Sequence, residues 1–252
     1  MSPESISVPR NRTNRLLDPL LDLLFLRGQV EHLEQLTPRM RLIRIGGPGV
    51  YGLTWRPGQQ VRVRAKDPQA SDWSGALRTY SIWSYDGERL ELCVLDHGDG
   101  PGANWARGLR IGDEVVLRKP EGKFTCSEEA PYHLFVGEET ASVAFGAMLV
   151  GLPAGAQVFG AIEVADPQDR LPLPRSAELA WSYRGDAPAA ASASLVAAVQ
   201  KLDLPEQPGV GYVAGEARAC QAVRDHLVRE RGWPRRSVLV KPFWAPGKRG
   251  ME

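Results

Sequence analysis

The chain predicts two successive architectures, a small antiparallel β-barrel of about six strands and then a parallel-sheet α/β domain. Two patterns carry this reading. Between Gly28 and Phe124 short runs alternate apolar and polar residues at period two, punctuated by Gly, Pro and Asp; beyond Phe124 apolar strands alternate with helices rich in Ala, Leu and Val. The length of 252 residues leaves room for two domains of ordinary size, each with its own core.

Taken in order, the chain opens on a polar stretch to about residue 15, with Asn11, Arg12, Asn14 and Arg15. Leu16 to Leu26 follows as a short apolar run interrupted by Asp18 and Asp22 and closed by Arg27. It is too short to span a bilayer and no small-residue cleavage site follows, so it predicts an amphipathic helix, with residues 1–27 as an N-terminal appendage. The barrel is expected over residues 28–126. Its strands read Arg41 to Ile45, Gln60 to Arg64 and Leu90 to Leu95, each with one wet face, and one helix, Ala103 to Gly108, interrupts them. A boundary near 125–131 leads to an α/β domain over 130–252. Its expected strands are His133 to Val136, Val158 to Val164, Leu179 to Tyr183, Tyr212 to Ala214 and Val238 to Val240. Its expected helices are Thr140 to Gly151, Ser192 to Lys201 and Ala217 to Arg231. Alternating strand and helix implies right-handed crossovers and a ligand crevice at the carboxyl ends of the strands.

Composition narrows the function. Hydrophobic residues make up 43% and charged residues 24%, which excludes wholesale disorder and fibrous repeats. Lys plus Arg number 31 against 30 for Asp plus Glu, a net charge of +1, so no long-range field attracts nucleic acid or an anionic membrane. Cys93, Cys126 and Cys220 form no CxxC pair, and the four histidines, 32, 97, 133 and 226, have no partners at ligand spacing. Neither a disulfide framework nor a bound metal is expected, and the thiols read as reduced hydrophobes of a cytoplasmic protein. HExxH, GxxxxGK[ST] and GxSxG are all absent, and the glycines from Gly209 to Gly215 lead into a strand, unlike a dinucleotide fingerprint.

Two segments carry chemistry. Arg78-Thr79-Tyr80-Ser81 places a cation, an aromatic plane and a hydroxyl on one strand, with Arg78 and Tyr80 on the same face roughly 7 Å apart. That spacing suits a ligand with a phosphate at one end and a flat ring at the other; an ordinary barrel strand with a snorkelling Arg reads the same way. His97-Gly98-Asp99-Gly100-Pro101-Gly102-Ala103-Asn104-Trp105 is a glycine-dense turn running into a helix. Such a turn forms either a pyrophosphate cradle or a plain loop.

Together with Leu36 to Arg41, Gly112-Asp113, Pro120 to Phe124, Gly137-Glu138-Glu139-Thr140-Ala141 and Ala214-Gly215-Glu216-Ala217, these segments occur in the order seen in siderophore-interacting proteins. The chain resembles that family of flavin-dependent ferric-siderophore reductases, within the ferredoxin-reductase-like superfamily, over about residues 28 to 246. The resemblance implies a six-stranded antiparallel Greek-key barrel binding FAD and a C-terminal α/β domain binding NADH or NADPH, with the reaction at their junction. By position, Arg78 would meet the FAD phosphates, Tyr80 would lie along the isoalloxazine, and Ser81 would bond near its reactive nitrogen, with Thr79 beside them. Asp96, His97, Gly98, Gly100, Gly102, Asn104 and Trp105 would wrap the ribityl and pyrophosphate portion.

In the second domain Gly137, Glu139, Thr140 and Ala141 fit the first strand-to-helix turn, where Thr140 would cap the helix and approach flavin or nicotinamide. Tyr80, Ser81 and Thr140 are thus the catalytic candidates. Gly215 and Glu216 would border the nicotinamide, unless Glu216 only stabilises a helix start. Trp244 belongs to a C-terminal aromatic pair near the cofactor. Lys241, Lys248 and Arg249 are candidate contacts for an anionic ferric siderophore, or else a solvated basic tail. Glu163 and Asp166, ahead of Arg170, tilt the nucleotide preference toward NADH. Two departures stand out: Trp83 replaces a second arginine of the family pattern, and Glu138 replaces its usual Asp.

The function these features imply is an FAD-dependent reductase passing electrons from NAD(P)H to siderophore-bound ferric iron, as a cytoplasmic monomer without membrane insertion. The competing readings are a flavodoxin or ferredoxin reductase and a non-catalytic siderophore- or flavin-binding module.

Overall fold

The computed structural model describes residues 25–65, 77–98 and 100–248. The helix expected over 16–26 falls outside these residues up to 24, and at Leu26 the chain is already a strand. Arg249 also lies outside them.

Strands β1 (Leu26–Thr37), β2 (Met40–Gly46), β3 (Gln60–Arg64), β4 (Leu77–Tyr85), β5 (Leu90–Leu95) and β6 (Glu114–Leu117) close a barrel in the order β1-β2-β5-β4-β3-β6. Every neighbouring pair is antiparallel. Closure leaves no exposed edge. Alternation puts Ile43, Ile45, Val61, Val63, Leu90 and Leu92 inside, all fully buried. Part of the opposite face of β2 and β5, expected to be wet, is dry: Met40, Leu42 and Cys93 share a core with Phe145, Met148 and Leu149 of the second domain, while Arg44 and Glu91 further along stay partly exposed.

Helix α1 (Pro101–Gly108) starts two residues earlier than expected, because Pro101 supplies a preset φ at its first turn. Its far end is held by Arg41, which donates to the carbonyls of Ala106 (2.6 Å), Arg107 (3.0 Å) and Leu109 (3.2 Å). These carbonyls have no partner within the helix, so a barrel-strand cation does the capping.

The second domain contains β7 (His133–Glu138), β8 (Val158–Val164), β9 (Ala180–Tyr183), β10 (Val210–Glu216) and β11 (Val238–Trp244). They form a parallel sheet in the order β11-β10-β7-β8-β9. Its helices are α2 (Glu139–Gly151), α3 (Ala193–Gln200) and α4 (Ala217–Asp225). The expected helix to Arg231 widens after α4 into a π turn, where Arg231 N donates to His226 O at 3.1 Å. Strand order reverses between β7 and β10, so the crevice of this sheet opens beyond Glu138 and Glu216.

Helix α2 joins the two halves. It is apolar around its circumference and buried from Ala141 to Leu149. One side meets the sheet, with Phe145 edge-on to Phe135 at 5.3 Å. The other meets the barrel, where Gly146 receives the ring of Trp83 and Gly151 faces Pro57. A Cβ at Gly146 would lie 2.3 Å from Trp83 Cζ3. Among the described residues, no helix is long and apolar enough to cross a membrane.

This contact yields a prediction with a sign. In a helix interior Ala is favoured over Gly by about 1 kcal/mol, whereas overpacking a core costs about 1–3 kcal/mol. Gly146→Ala is expected to lower stability to urea by about 1 kcal/mol or more, and to raise it in a Trp83→Ala background. An equal loss in both backgrounds would show that the ring contact is not the cause.

Candidate active site

A cleft of about 1560 Å³ runs along the junction of barrel and sheet domain. All four residues Arg78 to Ser81 of β4 line it, as do Gly100, Pro101 and Gly102 at the start of α1. Across from them lie Glu138, Glu139 and Thr140, at the switch between β7 and α2, and Trp244 of β11. The strand tetrad and the glycine turn, separate in sequence, are therefore neighbours on one wall.

The barrel wall fits a dinucleotide with a flat ring. Helix α1 starts at Gly100 with no side-chain cap, so its first N–H groups are available to a phosphate. Arg78 stands beside them, its Nη1 donating to Leu77 O at 2.7 Å. Tyr80 Oη is buried without a hydrogen-bond partner among the described residues, and burial pushes its pKa up against the opposing pull of Arg78. A Cβ at Gly102 would sit 2.6 Å from that oxygen, so only glycine allows the helix start to approach the ring. Tyr80 does not stand alone: its ring is stacked on Trp105 at 5.4 Å and 26°.

Other expected residues take different places. His97 and Asn104 line the cleft, but Asn104 Oδ1 accepts from Arg107, and Asp96, which is not among the lining residues, pairs with the same guanidinium. Asp96 thereby braces α1 and does not face the ligand space. Gly98, at φ 97°, supplies the turn that redirects the chain, and it too is not a lining residue.

On the opposite wall the expected cap is corrected. Glu138, not Thr140, caps α2: its Oε2 accepts from Thr140 N at 2.9 Å and its Oε1 from Thr140 Oγ1 and, at 3.0 Å, from Trp244 Nε1. The reason is geometric, since Glu138 is the last extended residue before the helix and Thr140 already lies within its first turn. Burial, and next the neighbouring charge of Glu139, push the Glu138 carboxyl up to about 7 despite these three donors. Gly215, at φ 116°, comes so close that a Cβ there would meet Glu138 Oε1 at 2.6 Å.

Glu139 is held between two arginines. Arg39 Nη2 reaches it from the β1–β2 turn at 2.8 Å, and Arg184, just past β9, grips both its oxygens. Arg39 also pairs with the buried Asp169, Nη2 to Oδ2 at 2.8 Å. No role was assigned from sequence to Arg39, Asp169 or Arg184, because charges scattered over 145 positions carry no local pattern; that Arg39 and Arg184 line the cleft, with Asp169 paired behind Arg39, is a tertiary fact.

Gly137, Ala141, Gly215 and Glu216 lie beneath the cleft, not on its surface. Glu216 is fully buried and caps α4, accepting from Arg218 N (3.0 Å), Ala219 N (2.9 Å) and Ala191 N (2.9 Å). Burial works to raise its pKa, but the backbone donors outweigh it and hold the carboxyl below its ordinary value. Its helix-start role is the one the geometry supports. Lys241 lines the cleft but donates to Gln60 Oε1 across the domain seam, and burial, with Arg62 nearby, lowers its pKa. Lys248 also lines the cleft.

The residues that tilted the nucleotide preference do not line the cleft. Glu163 is fully buried and accepts from Ser192 Oγ at 2.6 Å, Asp166 caps a short 3₁₀ turn, and Arg170 lies over Trp181 and Tyr183 at 4.9 and 5.0 Å.

A closed antiparallel barrel, a parallel sheet and a ligand cleft at their junction define the class of ferredoxin-reductase-like flavoproteins. The FAD/NAD-binding domain of a flavohaem-like nitric oxide dioxygenase from Vibrio cholerae shares the fold, with a TM-score of 0.71 at 16% identity over 88% of this chain and 99% of that one. Within this class the chain belongs to the siderophore-interacting protein family: residues 59–124 match the model of the siderophore-interacting FAD-binding domain, and residues 130–247 that of the siderophore-interacting protein.

A siderophore utilization protein from T. fusca superposes with a TM-score of 0.76 at 25% identity, covering 90% of this chain and 95% of that one. In sequence the chain is 29% identical over 178 residues to ferric vibriobactin reductase ViuB of Vibrio cholerae. That match spans 68% of this chain and 65% of the relative.

The raised Glu138 titration has a consequence for stability. Its folded pKa of about 7 exceeds the ordinary 4.5, so the folded state binds more protons in that window and stability falls as pH rises through it. Glu138→Gln abolishes this dependence. The stability of the variant relative to the parent is expected to rise by up to about 3 kcal/mol between pH 5 and pH 8, measured by urea unfolding at both pH values. Parallel stability curves would exclude this titration.

Proposed function

We propose that the chain is an FAD-dependent reductase that passes electrons from NADH or NADPH to ferric iron held in a siderophore, acting as a monomer in the cytoplasm. The barrel, residues 28–126, is the FAD half and residues 130–252 the pyridine-nucleotide half. The observation that carries this reading is the meeting of the Arg78–Ser81 tetrad and the uncapped start of α1 with the Glu138–Thr140 turn across one cleft.

When bound, FAD supplies the junction between a two-electron hydride donor and a one-electron ferric acceptor. The residues position and shield that chemistry. Arg78 and the α1 N–H groups oppose phosphate charge. Tyr80, stacked on Trp105, presents an unsatisfied phenol at the ring end. Ser81 and Thr140 offer hydroxyls from opposite walls. Trp244, oriented by its bond to Glu138, covers the cleft from the C-terminal side. Ferric iron enters as substrate, and Lys248 is the lining cation best disposed toward an anionic chelate, Lys241 being bonded to Gln60. Reduction to Fe(II) weakens hard oxygen ligation and frees the metal.

The visible spectrum of the purified protein tests this reading. Flavin bands that bleach with NADH or NADPH and return on adding a ferric chelate are expected; a protein that stays colourless after reconstitution with FAD overturns it. Arg78→Ala should keep its fold, judged by circular dichroism, while losing flavin occupancy by about tenfold, the order expected for one charge-assisted contact. Full occupancy would reject Arg78 as the phosphate anchor.

A further inference from the structure

The net reaction proposed above converts NAD(P)H and two Fe(III) into NAD(P)⁺, two Fe(II) and one H⁺. Each turnover therefore releases a proton at the cleft, where a positioned wall group that accepts it would speed the reaction. Thr140 and Glu138 both line the cleft, and Thr140 Oγ1 donates to Glu138 Oε1, so a partly exposed hydroxyl is hydrogen-bonded to an almost fully buried carboxyl in its wall. Glu138 is 1% exposed and is bonded from Thr140 N and Trp244 Nε1, which fixes its orientation toward the hydroxyl.

We propose that Thr140 and Glu138 form a proton exit from the cleft. The Thr140 oxygen takes the released proton while its own hydroxyl proton passes to the Glu138 carboxylate. One O–H bond forms at Thr140 and one at Glu138, one breaks at Thr140 and one at the group that releases the proton, and no electrons change hands. The proton returns to water through the same hydroxyl when product leaves. This inference rests on the reductase reading.

The surroundings suit an acceptor that holds a proton briefly. From α2, Glu139 sets a negative charge beside Glu138, and Arg184 beyond β9 opposes it while itself gripping Glu139. From α4, Cys220 contributes a buried thiol, and from β11 Trp244 contributes only a neutral donor. Gly215 of β10 adds backbone alone, with the capping Glu216 next to it. Glu139, although closer to the arginines, is already shared between Arg39 and Arg184, which leaves its lone pairs committed. With the Glu138 carboxyl pushed up to about 7, both protonation states are accessible near neutrality. A carboxylate is required to accept, so turnover should increase as pH rises through about 7 and level off above it.

The test uses Glu138→Gln, Glu138→Asp and Thr140→Val in the full chain. In the protein without added substrates, carboxyl ¹³C NMR should show one glutamate titrating near neutrality that is missing from Glu138→Gln. In the flavin-loaded protein reducing ferric citrate with NADH, Glu138→Gln and Thr140→Val should slow turnover about 100-fold, as expected for loss of a positioned acid–base group. Both should also lose the acid limb of the pH profile, while Glu138→Asp restores it.

An unchanged acid limb in Glu138→Gln, with ferric reduction intact, overturns the proton exit and leaves the reductase reading standing. Absence of ferric reduction in the parent protein, with its flavin still bleached by NADH, overturns the reductase reading and the exit with it.

Discussion

From Ala141 to Leu149 helix α2 has no wet side, and the rest of the molecule is arranged around that fact. Packed between Phe135 of the sheet and Trp83 of the barrel, it makes one continuous apolar core out of two domains. Domain interfaces of ordinary polarity slide; one closed by interlocking side chains in a dry contact does not. The start of α2 carries Glu138, Glu139 and Thr140 into the cleft, so the ring of Trp83, seated on Gly146, sets how far those groups stand from Tyr80 and Ser81. Trp83 is thus an aromatic anchor between barrel and helix. Arg78 and the uncapped start of α1 lie together on the barrel wall of the same cleft.

Ionic contacts refine the same junction. Removing two arginines and two carboxylates from water is expensive, and such a cluster adds little stability over an apolar equivalent. Its value lies in geometry: Arg39 reaches from the barrel, Arg184 and Asp169 from the sheet domain, and Glu139 sits between the guanidinia. Withdrawing Arg39 takes away the ion-pair partner of the buried Asp169, which makes alternative domain orientations unfavourable. Glu138, one residue earlier, has hydrogen-bond donors but no such cation pair, and that difference separates a fixed carboxylate from one that titrates near neutrality.

How far the linear chain reveals this is visible residue by residue. Period-two runs such as Gln60 to Arg64 locate barrel strands, because a pleated strand must alternate its side chains. They do not reveal that part of the second face of β2 is dry, since Met40 and Leu42 are moderate hydrophobes whose partner lies about 100 residues away. The tetrad Arg78 to Ser81 stands out in the sequence because its residue types are unusual together, and the fold sets all four in the cleft wall. The cap expected of Thr140 moved to Glu138 for want of one detail, the residue at which extended backbone turns helical.

Local chemistry thus settled what can be decided within a few residues: strand and helix periods, glycine turns and the family resemblance that names the cofactor. Everything depending on convergence of distant segments awaited the folded chain. The cleft itself, the grip on Glu139, the bond from Trp244 to Glu138 and the retirement of Asp96 and Glu216 to bracing and capping belong there. The physical reason is that backbone conformation follows short-range sterics and solvent periodicity, whereas the protonation and partners of a buried charge follow whichever groups the core brings within hydrogen-bond reach.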